Sequence, residues 1–464
     1  MKIRILFIVF IIGSSGIISG ASDTLFYQAF RDIVISNYPL IRKANLNEDI
    51  SEAFLLKGRG ALDSKFAGYY DRKRFDNKDY FTTWQSQLKI PTRLPVDLAL
   101  GYENNDGEFL NPENSVPDYG LMYGTININL LRGLIFDDQR YNLRNAELKG
   151  IKSQIERDLM IREILFQANL SYLDWSASYQ KSLLYEQYLN TISDRHQNII
   201  QLFENGDNPA IDTVESRVNL NTAIDKYLQA SKNLMYKRQK LELFIWDEEG
   251  NPLAIDNEII PETPDTVIIV FEDISQLPVP VFENDPIIRK VANKIEQLSL
   301  ENKLESENLK PALDVKFNTL VNIGNNDFSP LYSANDYKLG IGFEMPLQNR
   351  KTRGQLDLNK AMIGQLEWDQ LLYRQKLQND YTRLGNSISL NQRILANAQL
   401  KVNNSEQLYQ AEVFKFELGE SSVFLLNQRE RKYLEARLEE LSAVKDLGQD
   451  FNDLYYLKLG QEVQ

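Results

Sequence analysis

Apolar residues recur at steps of three and four along two very long stretches of this chain. In the first they fall at Leu148, Ile151, Ile155, Leu159, Phe166, Leu170, Leu173, Ala177, Leu184, Tyr188, Ile192, Ile199 and Phe203, with no proline between residues 133 and 208. In the second, after Pro346, they fall at Leu358, Met362, Leu366, Tyr373, Leu377, Tyr381, Leu384, Ile388, Leu395, Ala398, Val402, Tyr409, Val413 and Phe416. The spacing predicts helices with coiled-coil packing. About 70 residues at about 1.5 Å each reach roughly 100 Å, against about 11–12 residues for an ordinary helix. Each stretch stops at a glycine, Gly206 or Gly419, as helices often do. Residues 210–246 and 421–459 are predicted to return as antiparallel helices.

Before each long helix the period changes to two. Tyr337, Leu339, Ile341, Phe343 and Met345 alternate with Lys338, Gly340, Gly342 and Glu344. Leu313, Val315, Phe317 and Val321 alternate with Asp314, Lys316 and Asn318. In the first half Val96, Leu98, Leu100 and Tyr102 form one such row, and Met122, Ile126, Ile128 and Leu130 another. Tyr80 to Ile90 is a further candidate strand, and residues 64–90 are candidates for a further pair. Stretches rich in Asn, Asp, Gly and Pro, at 103–118 and 324–336, read as turns. Taken alone, these strands fit a half-buried soluble sheet as well as a barrel wall. The long helices favour the wall, with a soluble coiled coil as the plainer alternative.

The two halves repeat each other. Asn37-Tyr38-Pro39-Leu40-Ile41-Arg42-Lys43 returns as Asn284-Asp285-Pro286-Ile287-Ile288-Arg289-Lys290, and Phe203-Glu204-Asn205-Gly206 as Phe416-Glu417-Leu418-Gly419. Each Asn-x-Pro is predicted to cap and open a helix, over 40–62 and 287–309. The division expected is a first repeat at 22–247, a connector at 248–283 and a second repeat at 284–464. The connector is rich in proline and acidic residues, and Val267–Phe271 inside it reads as a short β-like run.

The first residues bear on the compartment. Lys2 and Arg4 precede an apolar run, Ile5 to Ile12, and then mostly small residues to Ala21. This predicts a secretory signal peptide, 1–21, cut after Gly20 or Ala21. No apolar run elsewhere is long enough for a spanning helix, whereas barrel strands need only alternate. The absence of cysteine excludes a lipid anchor at the cut site, so any membrane attachment must come from the fold itself. A net charge of −13 argues against a nucleic-acid partner.

Chemistry is hard to build here. His196 is the single histidine and reads as a surface residue of the long helix. No calcium loop and no phosphate-cradling glycine loop occurs. Pairs such as Asp137-Asp138 and Glu439-Glu440 are ordinary on helices. We expect no catalytic residue, no cofactor and no metal site.

Together these features resemble the TolC-like outer-membrane efflux proteins over nearly all of the mature chain. The resemblance rests on the two Asn-x-Pro openings and on Leu309-Lys310-Pro311-Ala312-Leu313, which leads into a strand. It rests also on Met345-Pro346-Leu347-Gln348-Asn349-Arg350 with Arg353-Gly354 at a strand-to-helix corner, and on Gly419-Glu420-Ser421-Ser422 before Val423-Phe424-Leu425-Leu426 at a hairpin tip. It implies a mainly α protein with a membrane β-barrel part. Duplicated helical hairpins would form a trimeric α-barrel continuous with a shared β-barrel. It implies an outer-membrane channel of a diderm bacterium that reaches into the periplasm and exports small molecules or peptides. Its partners would be two further copies, a periplasmic adaptor, an inner-membrane pump and outer-membrane lipid.

The family narrows at helix ends near such glycines, often with acidic rings in the second half. Six and nine residues beyond Gly419 stand Leu425 and Gln428, which are not acidic; the same count from Gly206 reaches Asp212 and Glu215, which are. An acidic constriction would therefore come from the first half. The plainer alternative is that Asp212 and Glu215 are first-turn charges favoured by the helix dipole. The competing functional reading is a periplasmic coiled-coil adaptor bridging two membranes, which would normally carry one hairpin rather than two. A plain diffusion porin would not be half coiled coil.

Overall fold

A computed structural model describes residues 24–207, 209–275, 282–324 and 329–458; the predicted signal peptide lies outside them. A two-residue strand β1 (Thr24–Leu25) precedes helices α1 (Tyr27–Asn37) and α2 (Pro39–Arg59). Strands β2 (Lys65–Phe75), β3 (Lys78–Ile90), β4 (Val96–Asp106) and β5 (Leu121–Asn129) follow, then helices α3 (Asp138–Glu204) and α4 (Ala210–Glu242). After β6 (Ile260–Pro261) and helix α5 (Pro264–Ser275) the earlier order returns. Helix α6 (Pro286–Asn308) leads to strands β7 (Ala312–Gly324) and β8 (Ser329–Glu344), then helices α7 (Arg350–Glu417) and α8 (Val423–Lys458). The long helices run 67 and 68 residues without a break.

The chain forms two compact units, and each draws on both halves of the sequence. One takes the chain up to Asn45, Asp158–Asp285 and the chain from Gln375; the other takes Leu46–Arg157 and Pro286–Arg374.

The second unit carries a six-stranded sheet in the order β2-β3-β4-β5-β7-β8. Every neighbouring pair is antiparallel. β2 and β3 close through Asp76 and Asn77, both at positive φ (51° and 57°). Asp and Asn tolerate that conformation, which suits the twist of a two-residue hairpin turn. The candidate pair at 64–90 is this hairpin. Two predicted turns prove shorter than expected. β4 continues to Asp106, and β8 already begins at Ser329. Ladder bonds to a partner strand satisfy those backbones despite their polar composition, a case of context outweighing strand propensity.

The first unit is helical, with its core where α1, α3, α4, α5 and α8 meet. Tyr27, Phe30 and Val34 of α1 pack with Ile164, Leu165, Tyr172 and Trp175 of α3, Leu241 of α4, Val267 and Ile268 of α5, and Val444, Leu447 and Phe451 of α8. A chain of polar groups inside it is bonded from helix to helix. The Tyr27 hydroxyl donates to Asn169 Oδ1 (2.9 Å), Asn169 Nδ2 to Asn452 Oδ1 (3.1 Å), and Asn452 Nδ2 to the Phe166 carbonyl (3.2 Å).

Two local expectations are corrected here. The run Val267–Phe271 is helical, not β. Pro264 sits at a tolerated first-turn position, the Val267 amide bonds back to the Thr263 carbonyl, and Val267 and Ile268 are buried in the core. Packing therefore overrides the strand preference of β-branched residues. Asn37 does not cap α2. It is the last residue of α1, and its amide donates to the Trp246 carbonyl (3.1 Å).

Candidate functional site

Alternation along each strand, combined with the register between strands, gives the sheet two chemically opposite faces. One face carries Phe66 and Tyr70 (β2), Trp84 and Leu88 (β3), Leu98 and Leu100 (β4), Met122 and Ile126 (β5), Val315 and Phe317 (β7), and Leu339, Ile341 and Phe343 (β8). Cross-strand partners hold these in rows, for example Leu98↔Ile126↔Phe317↔Leu339. This apolar face is exposed: Phe66 is 75% exposed, Leu100 58% and Ile341 68%. The opposite face carries Lys, Gln, Asn, Asp and Glu, yet Ala99, Tyr123, Thr125 and Asn318 on it are buried. A water-soluble sheet would bury the greasy side.

The apolar rows run from Leu313↔Phe343 to Tyr70↔Trp84↔Asn104. That is ten residues along a strand. At about 3.4 Å per residue the band runs about 34 Å along a strand, which at the tilt of about 35–45° typical of outer-membrane barrel strands corresponds to a height of about 25 Å, that of their apolar belt. Among the described residues the sheet ends in two unpaired edges, β2 and β8. No helix among the described residues is long and apolar enough to cross a membrane.

The tips of the helical hairpins are built alike. Gly206 and Gly419 adopt φ of +85° and +76°, a region that glycine enters without strain. The amide of Asp207 bonds to the Leu202 carbonyl and that of Gly206 to the Phe203 carbonyl. In the second hairpin Glu420 bonds to Lys415 and Gly419 to Phe416 in the same pattern. This paired closure satisfies carbonyls that the helix end leaves free.

Asp212 lies in the first turn of α4 with Glu215 one turn on, both half-buried. Leu425, half-buried, and Gln428, exposed, occupy the start of α8, where the Ser422 hydroxyl accepts the Leu425 amide (3.3 Å). No hydrogen bond or ion pair joins these two pairs of residues among the described residues.

Behind the tips lies a network that the sequence reading missed. Arg195 of α3 donates to Asn427 Oδ1 (2.7 Å) and Glu430 Oε2 (2.5 Å) of α8, with Arg195 and Glu430 side chains 11% and 6% exposed. Tyr409 of α7 donates to Glu430 Oε1 (3.3 Å) and stacks on Tyr433. The signal was available. Arg195 falls in the seam between Ile192 and Ile199, and Glu430 falls seven residues after Val423. His196 is half-buried rather than on the surface, with Nδ1 2.7 Å from Ser216 Oγ. Further along the same helices, Asp174 of α3 binds Lys237 of α4 (2.6 Å) and Lys445 of α8 (2.7 Å). Burial raises the pKa of this carboxyl, but hydrogen bonds from both lysines outweigh it and hold the group below its usual value.

No family model and no curated protein sequence matches the chain. Solved structures do match. The open-state MtrE outer-membrane channel of Neisseria gonorrhoeae superposes with a TM-score of 0.66 at 14% identity, covering 94% of this chain and 89% of that one. The CmeC outer-membrane channel of Campylobacter jejuni gives 0.65 at 11% identity, covering 94% and 86%. The outer-membrane protein VceC of Vibrio cholerae gives 0.63 at 10% identity, covering 93% and 95%. At such identities the likeness is one of fold, and it extends over both the helices and the sheet. The chain has the fold of the TolC-like outer-membrane channels.

Proposed function

We propose that the chain is the outer-membrane channel subunit of an export system, and that three copies form one tunnel for small molecules or peptides. The observation that carries this is the inverted sheet: an apolar band about 25 Å tall faces outward, polar residues face inward, and both edges are open. Lipid leaves unpaired strand edges without hydrogen-bond partners, so such a sheet needs closure. With six strands, β2 and β8 run antiparallel to each other, so β2 of one copy can pair with β8 of the next. Three copies supply eighteen strands, three times the six of one sheet, a size that leaves an aqueous lumen.

Exposed apolar residues on the helices support the same assembly. Ile211, Val214, Val218, Leu228 and Met235 lie at heptad-related positions on α4 and stand open to solvent in a single copy. On this reading 1–21 is a signal peptide, 22–247 and 284–464 are two copies of one unit, and 248–283 joins them. The location is the outer membrane of a diderm bacterium, with helices extending into the periplasm towards an adaptor and an inner-membrane pump. The role is transport and not catalysis. MtrE and CmeC, described as outer-membrane channels, support this by shared fold.

The chain has no native cysteine, so pairing across copies is testable directly. Cysteines replacing Ala67 or Tyr69 in β2, combined with one replacing Gly340 or Gly342 in β8, should yield crosslinked dimers and trimers in detergent. A protein that stays monomeric and water-soluble without detergent, with compact dimensions by solution scattering, would refute the proposal. Asp212 and Glu215 are the proposed acidic ring at the tip. Asp212→Asn with Glu215→Gln should then weaken block by divalent cations in single-channel recordings, because an acidic ring concentrates cations; unchanged block would reject that ring.

A further inference from the structure

Lysines gather on the polar face of the sheet in a way that the channel reading does not require. The register sets one row as Lys65↔Lys89↔Ala99↔Thr125↔Asn318↔Lys338 and the next row towards the helices as Asp97↔Asn127↔Lys316↔Gly340. Four lysines and one aspartate thus share two adjacent rows, in a protein whose net charge is −13. Asp314 and Glu344 lie one and two rows nearer the helices; Glu103 and Asp71 lie two and three rows the other way. The basic belt is therefore bounded by acidic side chains on both sides. Lys65 and Lys89 stand directly opposite each other, an arrangement that costs stability unless negative charge joins them.

A cavity of about 360 Å³ opens at this belt, lined by Lys65, Lys89, Lys316, Asp97, Asn127 and Thr125 among others. Thr125 is 6% exposed, and its hydroxyl has no hydrogen-bond partner among the described residues. A buried hydroxyl without a partner is costly, and a ligand in the cavity would supply one. None of the three lining lysines forms an ion pair among the described residues. Beside the amides of Gln87, Asn127 and Gln139, which can donate or accept, the cavity thus offers three cationic donors and one hydroxyl against a single carboxylate, a charge balance that favours an anion.

We propose that this cavity is an anion-binding station in the lumen, which takes the carboxylate or phosphate group of a passing solute. Lys65, Lys89 and Lys316 attract the charge, and Thr125 donates to it from the floor. The inference rests on the channel reading, since only an open lumen would bring solutes to this face. Rings of Lys in pores select anions by the same means.

The test uses the full mature chain in planar bilayers, with citrate as the probe. Wild-type channels should show concentration-dependent block by citrate. Lys65→Gln/Lys89→Gln/Lys316→Gln should need at least about tenfold more citrate for half block, the lower range of electrostatic focusing. Thr125→Val, which changes no charge, should need more citrate than wild type at unchanged conductance in potassium chloride. That second variant separates a built site from general lumen charge. Equal block in wild type and the triple variant, or no block of wild type, would overturn the proposal while leaving the channel reading intact. An absence of conductance steps from folded protein would overturn the channel reading and the station with it.

Discussion

Glu430→Ala should loosen the tip of α8 by about 3 kcal/mol. The Arg195 guanidinium has two acceptors, Glu430 Oε2 at 2.5 Å and Asn427 Oδ1 at 2.7 Å, and both side chains of the ion pair are largely buried. Removing one partner of a buried pair costs about 3–5 kcal/mol, because the other charge is left without compensation. Arg195 retains some solvent and the Asn427 bond, which places the cost at the low end. Glu430→Gln keeps an acceptor and should cost about 1–2 kcal/mol. The double variant Arg195→Met/Glu430→Leu removes both charges, and should return to within about 1 kcal/mol of wild type if apolar packing replaces the pair. Hydrogen exchange in detergent reads these changes at the amides of residues 427–434, since local opening there is what the pair resists. At about 1.4 kcal/mol per tenfold, Glu430→Ala should speed exchange roughly a hundredfold. A change below about tenfold, or a double variant as damaged as the single one, would show that the pair is solvated and not holding α3 to α8.

Three further outcomes follow from the geometry. Ile126→Arg puts a charge on the apolar face and should cost about 2–4 kcal/mol near the middle of the bilayer, whereas Gln87→Arg on the polar face should be tolerated; folding yield into lipid, read by gel mobility before and after heating, separates the two. Gly206→Ala and Gly419→Ala should each destabilise by about 1–2 kcal/mol through backbone strain alone, because an added Cβ meets nothing within 4 Å among the described residues at either turn; thermal midpoints of the single and double variants should show the costs adding. The Asp174 carboxyl is held below its usual pKa by Lys237 and Lys445 against the opposing effect of burial, so its stabilisation is complete above the unfolded value of about 4 and is lost as pH falls through the folded value; Asp174→Asn should lower stability at neutral pH and flatten the acid limb of a stability-against-pH curve, and parallel wild-type and variant curves below pH 4 would contradict this.

What the chain disclosed in advance, and what it hid, divides by the range of the interaction. The rows Val96–Tyr102 and Tyr337–Phe343 were legible because period-two alternation is local, and α3 and α7 because their period persists over 67 and 68 residues. β2 was harder to single out, since Asp71, Arg72, Lys73 and Arg74 interrupt its alternation. Helix α1 left a trace that went unread: Tyr27, Phe30 and Val34 have helical spacing, and all three are buried. Val267 and Ile268 pointed to a strand because β-branching is a local preference, while their burial against α3 and α8 is a property of the fold.

The lysine belt shows the limit most clearly. Lys65, Lys89, Lys316 and Lys338 lie far apart in the chain, and each sits at an ordinary polar position of its own strand. Only the register brings Lys65 opposite Lys89 and sets Lys316 one row away. Register depends on which strands pair, and β5 pairs with β7 across an intervening stretch that contains α3 through α6. Alternation can say which face a lysine occupies but not its height on that face. A one-residue slip of β7 against β5 would send Lys316 to the apolar side with every other polar residue of its strand, so burial of the correct face fixes the register strongly. The same segregation of apolar from polar side chains that builds the apolar face therefore also assembles the cationic belt, without any local sequence signal for it.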